Sequence, residues 1–155
     1  MDEYMSNAWL SVSIPLCLLH GHVFDTNGDQ VQYLESLPDI LKWACIIVRL
    51  SDDLGTSPAE MARGDTPKAI QCYMNDTGAS EEAAREHVES LVREAWKKLN
   101  KCVMEERTLS TAAVERLLNL VRAGHCFYQH GDGHGVQDRE TKQLMSHLLF
   151  DPISS

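Results

Sequence analysis

Apolar side chains recur every three or four residues from Leu34 to Val48, and this periodicity constrains the fold more than any other feature of the chain. Side chains at such intervals share one face of an α-helix and are too closely matched to 3.6 residues per turn for a strand. The period runs directly into Arg49 and Asp52. We therefore expect a core helix whose continuation presents polar side chains.

The rest of the chain shows the same period, and no strand pattern of useful length interrupts it. Turn formers and proline near residue 67, and serine at position 80, mark helix starts between the periodic segments. We therefore expect an all-α protein with a single domain over residues 1–155. The further predicted helices cover residues 3–24, 66–74, 80–99, 109–128 and 144–150.

Asp52, Thr56 and Glu60 follow one another at intervals of four residues, and we call these three residues the acidic face. Four-residue steps drift only about 40° around a helix, so the three side chains can share one side over two turns. Two carboxylates and a hydroxyl are hard oxygen ligands, which suit Mg²⁺ or Mn²⁺ completed by water and substrate phosphate. On spacing alone, an ordinary acidic helix surface is the more common explanation of the pattern.

The segment from Asp52 to Glu60 resembles the second metal-binding motif, (N/D)Dxx(S/T)xxxE, of class I terpene synthases, and it matches at every defined position. The likeness extends over nearly the whole chain and is strongest to angiosperm monoterpene synthases. It also covers residues 63–68 (RGDTPK), 70–74 (IQCYM), 77–80 (TGAS) and 128–133 (YQHGDG).

The resemblance implies roles for individual residues. Asp52, Thr56 and Glu60 would hold one Mg²⁺, with Mn²⁺ as a possible substitute. Arg49 and Lys68 would bind the substrate diphosphate, and together with Asp52 they would form the catalytic set.

A second implied element is a loop over the pocket, which we call the lid loop and which carries Tyr128, Asp132 and His134. His134 stands where many family members have an aromatic residue. Its role as a lid residue or as a solvent-exposed loop residue is therefore open.

The family's other metal motif, DDxxD, is absent from these 155 residues. The chain therefore resembles the C-terminal helices of the class I terpenoid synthase bundle, without the DDxxD-bearing part.

The implied parent activity is Mg²⁺-dependent ionisation of a prenyl diphosphate, favouring geranyl diphosphate and a monoterpene product, with C15 or C5 substrates as alternatives. We expect the isolated chain to be inactive. The competing interpretation is a truncated, non-catalytic helical paralogue that binds metal-diphosphate or associates with a full-length synthase.

Two prolines, Pro15 and Pro58, fall in the interior of predicted helices and not at their starts. Pro15 should disturb its helix near Ser11 and Val12, either as a simple kink or, as the resemblance suggests, as a break that exposes backbone oxygens to the pocket. Pro58 either kinks one continuous helix or starts a new helix capped by Ser57. The resemblance favours the continuous helix.

Composition excludes several classes of function. With 14 basic and 23 acidic residues and a net charge of −9, the chain is unsuited to sequence-independent nucleic-acid binding. Five scattered cysteines without a C-x-x-C pair indicate reduced thiols. No apolar run approaches the roughly 20 residues of a membrane span. Because the chain shows neither a signal nor a transit peptide, we expect it to be cytoplasmic as written, whereas a full-length monoterpene synthase parent would be plastidic.

Overall fold

The computed structural model describes residues 1–17, 39–107, 109–132 and 139–150, and α-helix dominates all four ranges. No strand occurs in these ranges, so the all-α prediction is confirmed. In chain order the helices are α1 (Asp2–Ser11), α2 (Asp39–Arg63), α3 (Ala69–Thr77), α4 (Glu81–Glu105), α5 (Thr111–Phe127) and α6 (Arg139–Leu149).

Helix α2 is the centre of the structure, since it packs against α4, α5, α1 and α3. Its first half buries the residues that the periodicity assigned to the core, among them Leu41, Ala44, Cys45 and Val48. Leu34 begins the periodic run but lies outside the described residues. The partners from α4 and α5 form one continuous apolar cluster with α2, comprising Ala84, Val88, Val92, Ala95, Leu99, Leu117 and Val121.

Helix α2 passes through Pro58 without ending, as the continuous-helix interpretation predicted. Proline has no N–H, so the carbonyl of Leu54 loses its usual helical donor. Arg85 of α4 replaces that donor, with Nη1 lying 3.1 Å from the Leu54 oxygen. Ser57 does not cap a new helix; its hydroxyl is buried and accepts a hydrogen bond from Gln71. A contact between helices thus compensates for the proline.

The shorter connections follow local capping rules. The hydroxyl of Ser80 accepts a hydrogen bond from the Ala83 N–H at the start of α4, as predicted, and Ser110 caps α5 in the same way. Gly78 ends α3 with φ 73°, a left-handed conformation that glycine adopts without steric cost. These caps set where α3 ends and where α4 and α5 begin.

Helix α1 differs from the expectation of one mostly buried helix over residues 3–24. It ends at Ser11, where Val12 turns extended, and a short helical stretch at residues 14–17 begins with Pro15 in its first turn, so the predicted disturbance is confirmed. The burial prediction is wrong for the described part, because Ala8 and Ile14 are the only buried residues between positions 3 and 17. Leu10 and Leu16 are 49% and 57% exposed.

None of the described helices is long and apolar enough to cross a membrane.

Candidate functional site

Arg49 and Asp52 form the first ion pair of the candidate site. They lie one turn apart on α2, and Nη1 of Arg49 is 3.0 Å from an Asp52 carboxylate oxygen. The Arg49 side chain is 13% exposed and that of Asp52 is 20% exposed, so both groups are shielded without being sealed from solvent. Arg49 also donates Nε–H to the Ala8 carbonyl and Nη2–H to the Ser11 hydroxyl. The guanidinium therefore joins the end of α1 to the acidic face.

Glu60 and Lys68 form the second ion pair. The Lys68 ammonium lies 3.0 Å from Oε1 of Glu60, and the side chains are 22% and 15% exposed respectively. Lys68 is the residue that caps α3, because its backbone N–H is held by the Gln71 side chain. The other carboxylate oxygen of Glu60 is buried and has no hydrogen-bond partner among the described residues. Such an atom is costly to bury unless something else binds it.

Thr56 lies between the two carboxylates on α2. Its hydroxyl donates to the Asp52 backbone carbonyl at 2.9 Å, which leaves the lone pairs of the oxygen available as acceptors. Side chains on a helix lean toward its N-terminus, so Glu60 leans back toward Thr56. The donor set of the acidic face and the orphaned Glu60 oxygen fit a hard divalent cation.

This set is incomplete as a metal cage. Within the described ranges, no group of three or more His, Cys, Asp or Glu side chains is placed to hold a metal ion. Two carboxylates and one hydroxyl would therefore need water or phosphate oxygens to complete an octahedron.

The start of the lid loop packs directly on the acidic face. The Tyr128 hydroxyl hydrogen-bonds to the Asp52 carboxylate, and the pKa of Tyr128 is raised first by burial and then by the negative charge of Asp52. A Cβ added to Gly55 would lie 2.6 Å from the Gly131 carbonyl oxygen, too close for any side chain. Glycine at position 55 therefore permits the loop backbone to contact α2.

Only part of the predicted lid loop lies within the described residues. Asp132 is described, and its negative charge contributes to the raised pKa of Tyr128. His134 lies outside the described residues. His130 is 3.9 Å from Glu140 of α6, a pair that is ionic only when the imidazole is protonated.

A cavity of about 750 Å³ lies between α1, the start of α3 and Arg49. Arg49 and Lys68 both line it, together with Tyr4 and Ser11. The acidic face is not part of its wall. The two cations therefore stand at a boundary, each facing the cavity and each paired with one carboxylate of the acidic face.

Asp53, the neighbour of Asp52, points into the protein instead of toward the acidic face, as helical geometry requires of adjacent residues. Its side chain is 0% exposed. Burial raises its pKa to about 6, against the opposing effects of hydrogen bonds from Tyr4 and the Ala69 N–H and of the Arg49 and Lys68 charges. Asp53 thus has a location and an environment that differ from those of Asp52.

Sequence reasoning missed Tyr4, Asp53 and Gly55 as parts of the site. Gly55 had a readable signal, since glycine inside a helix costs about 1 kcal/mol relative to alanine and often marks a close backbone approach. Tyr4 gave none, because its contact with Asp53 spans 49 positions of sequence.

Comparisons with known proteins give consistent likenesses. Residues 1–98 match the sequence profile described as terpene synthase family, metal binding domain. A chloroplastic myrcene synthase of Quercus ilex is 50% identical over 156 residues, covering 99% of this chain and 26% of the relative. A (−)-alpha-terpineol synthase of Vitis vinifera is 46% identical, covering 100% of this chain and 27% of the relative. The chain spans about a quarter of the length of these relatives.

Two solved structures also resemble the helices of this chain. A limonene synthase with 2-fluorolinalyl diphosphate superposes with a TM-score of 0.86 at 38% identity, over 99% of this chain and 29% of that one. An isoprene synthase from grey poplar, with three Mg²⁺ ions and dimethylallyl-S-thiolodiphosphate, gives a TM-score of 0.80 at 36% identity, over 99% and 30% of the chains. The helices therefore match part of a larger all-α fold, as predicted.

Proposed function

Because the chain belongs to the terpene synthase family, we propose that it is the C-terminal portion of a class I catalytic domain that ionises a prenyl diphosphate. In this proposal residues 1–155 supply one of the metal sites and part of the diphosphate site, and the part bearing DDxxD completes the domain. The parent enzyme would be a monoterpene synthase, a carbon–oxygen lyase acting on phosphates.

The observation that carries the proposal is the pairing of Asp52 with Arg49 and of Glu60 with Lys68. A site for a metal-bound diphosphate needs carboxylates for the cation and cations for the phosphate oxygens, side by side. An ordinary acidic helix surface needs neither the second cation, which comes from the start of α3, nor a buried carboxylate oxygen without a partner. Both features favour the site over a solvated surface.

Asp52, Thr56 and Glu60 would hold one Mg²⁺, and Mn²⁺ has suitable chemistry for the same oxygens. When bound there, a divalent ion would supply positive charge that makes the diphosphate a better leaving group. Arg49 has five N–H donors and uses three in hydrogen bonds to Ala8, Ser11 and Asp52, so donors remain for phosphate oxygens. Lys68 would add a point charge from the cavity side.

Arg49 and Lys68 would also hold the departing diphosphate, which takes the electron pair of the allylic C–O bond. This bond would therefore break without a protein nucleophile. The lid loop would then exclude water. Tyr128 already hydrogen-bonds Asp52 and the Gly131 backbone contacts α2, so this end of the loop lies against the acidic face. Asp132 and His134 would act from the same loop.

We propose geranyl diphosphate as substrate, because the relatives include myrcene and terpineol synthases. The test supplies the full-length parent enzyme with C5, C10 and C15 prenyl diphosphates and identifies products by gas chromatography. We expect volatile products from the C10 substrate with Mg²⁺ or Mn²⁺ and none after chelation. Products without divalent metal would contradict the proposal, and products from the C15 substrate alone would change the substrate assignment.

A second candidate is a truncated paralogue that makes no terpene and binds metal-diphosphate or a full-length synthase. The exposed apolar side chains of Leu10 and Leu16 favour such a contact. An assay of the isolated chain with geranyl diphosphate shows whether it is active on its own. Diphosphate release from geranyl diphosphate by this chain, abolished by Glu60→Ala, would show that it is an active enzyme without the missing part.

The relatives named as chloroplastic support a plastid location for the full-length parent. Fusion of a fluorescent protein to the full-length reading frame would test this directly.

A further inference from the structure

Asp53 is a fully buried acid that the proposed reaction leaves without a role. Its Oδ2 accepts hydrogen bonds from the Tyr4 hydroxyl and from the Ala69 N–H, the latter at 3.2 Å. Its Oδ1 is buried and has no hydrogen-bond partner among the described residues. The nearest positive charge is Nη1 of Arg49, 3.8 Å from Oδ1. A single carboxylate thus contacts α1, α2 and the first turn of α3.

The charge on this carboxylate requires a reason. A neutral amide of the same shape could accept from Tyr4 and Ala69, and a buried charge costs free energy that hydrogen bonds to neutral groups do not fully return. Two positive sources contact Asp53 directly, in addition to the more distant charge of Lys68. One is the Arg49 guanidinium, and the other is the N-terminal end of α3, which carries a partial positive charge.

Both sources bear on the proposed diphosphate site. Arg49 is itself one of the two cations, and Lys68 immediately precedes Ala69, whose N–H Asp53 accepts. The carboxylate therefore contacts both the guanidinium of Arg49 and the residue that follows Lys68.

We propose that Asp53 is a positioning residue that fixes Arg49, and through the start of α3 also Lys68, for recognition of diphosphate. This inference rests on the proposed function. Asp53 touches neither metal nor substrate; it acts by holding Arg49 between Asp52 and itself, so that the remaining guanidinium donors keep one direction. Pre-ordered donors lose less entropy when they bind phosphate.

The test uses the full-length parent enzyme with inorganic diphosphate as an inhibitor at saturating Mg²⁺. Asp53→Asn keeps the shape and the hydrogen-bond acceptor but removes the charge that faces Arg49. We expect its inhibition constant for diphosphate, and its KM, to rise about ten- to hundredfold, the usual range for partners that orient a binding group, with a smaller change in kcat. Trp96→Phe, between α4 and α5, is the matched control for general loosening and should leave the inhibition constant unchanged.

A double-mutant cycle separates positioning from mere stability. If Asp53 acts through Arg49, then Asp53→Asn should add less than about twofold in an Arg49→Gln background. Fully additive effects, or an unchanged inhibition constant in Asp53→Asn, would overturn the inference. Should Asp53→Asn not fold, Tyr4→Phe decides: we expect inhibition to weaken about threefold, the effect of one lost hydrogen bond, and no change would again overturn it. If Arg49→Gln alone leaves diphosphate inhibition unchanged, the proposed function itself fails.

Discussion

The two halves of α2 are held in place by different forces. The first half, residues 39–50, packs mainly through apolar side chains, and Ala44, Cys45, Ile47 and Leu50 are each 0% exposed. The second half, residues 51–63, contacts its neighbours through carboxylates, hydroxyls and carbonyls. Both buried oxygens that lack a hydrogen-bond partner in the described part of the chain, on Asp53 and Glu60, belong to this second half.

This difference indicates where the helix is built for something other than stability. Sequences that specify a fold satisfy their buried polar groups, and departures concentrate at functional sites. The second half also has a proline and a close-packed glycine, Pro58 and Gly55, each compatible with a helix because another segment accommodates it. The first half needs no such arrangement. We therefore expect substitutions in the two halves to differ in kind.

The largest expected effect is on turnover. In the full-length parent, Asp52→Ala or Glu60→Ala should lower kcat/KM about a thousandfold, because losing a metal ligand removes several kcal/mol of charge stabilisation. Steady-state kinetics with geranyl diphosphate measures this. The control is Glu89→Ala, an exposed acid of α4 paired with Arg93, which should be neutral. Equal, small losses in all three variants would remove the metal assignment.

The first half should respond in stability instead. Ile47→Ala in this chain should lower the free energy of unfolding by about 3 kcal/mol, since a fully buried side chain leaves a cavity, whereas Ile47→Val should cost about 1 kcal/mol. Urea denaturation gives both values. A loss below about 1 kcal/mol for the alanine variant would mean that the core around α2 rearranges freely.

Two glycines allow a matched comparison of the halves of α2. Gly55 lies in the second half, and Gly124 of α5 contacts Val48 in the first half. Gly55→Ala places a Cβ 2.6 Å from the Gly131 carbonyl oxygen, and Gly124→Ala places one 3.0 Å from a Val48 methyl group. A backbone carbonyl yields less than a side chain, so we expect losses of about 2 and about 1 kcal/mol respectively, despite the better helix propensity of alanine.

The kind of effect should differ as well. Gly55→Ala should also free the loop after α5 from α2, visible as faster hydrogen exchange around residues 128–132, and Gly124→Ala should not. A stabilising Gly55→Ala would contradict the contact between the loop and α2.

The smallest effect is a pH dependence at the α4–α5 contact. Trp96 donates its indole N–H to Nδ1 of His125 at 2.9 Å, and burial lowers the pKa of His125 from 6.5. A depressed histidine pKa means that the unfolded chain binds the proton first, so stability is complete above pH 6.5 and falls as the pH drops below it. We expect a decline of up to about 1 kcal/mol, about the net value of the hydrogen bond.

Urea denaturation at pH 7 and pH 5 tests this, with His125→Gln as the control. The variant should lose less stability between the two pH values than the natural chain. An identical decline in both would exclude His125 as the source.

Much of the fold was readable from periodicity and capping residues. The apolar period of α2, the cap at Ser80 and the continuous helix through Pro58 were all predicted, and the structure confirms them. These features depend on local geometry, which sequence spacing encodes.

The contacts that organise the site were not readable in the same way. Asp53 meets Tyr4 across 49 positions and Ala69 across 16, and Arg85 reaches Leu54 across 31. Which side of a helix faces which neighbour depends on tertiary packing. Sequence spacing therefore could not identify the partners of Asp53. The burial expected for α1 was wrong for the same reason, since a dense apolar pattern does not show whether another helix packs against it.

Counting bound metal tests the central claim most directly. In the full-length parent with saturating inorganic diphosphate, Mn²⁺ can be counted by electron paramagnetic resonance for the natural enzyme and for Glu60→Gln. This substitution keeps the size of the side chain and removes the carboxylate that has an orphaned oxygen. The account predicts that the variant binds one Mn²⁺ fewer per chain while its unfolding midpoint stays nearly unchanged. The same number of ions, bound with the same affinity, would contradict it.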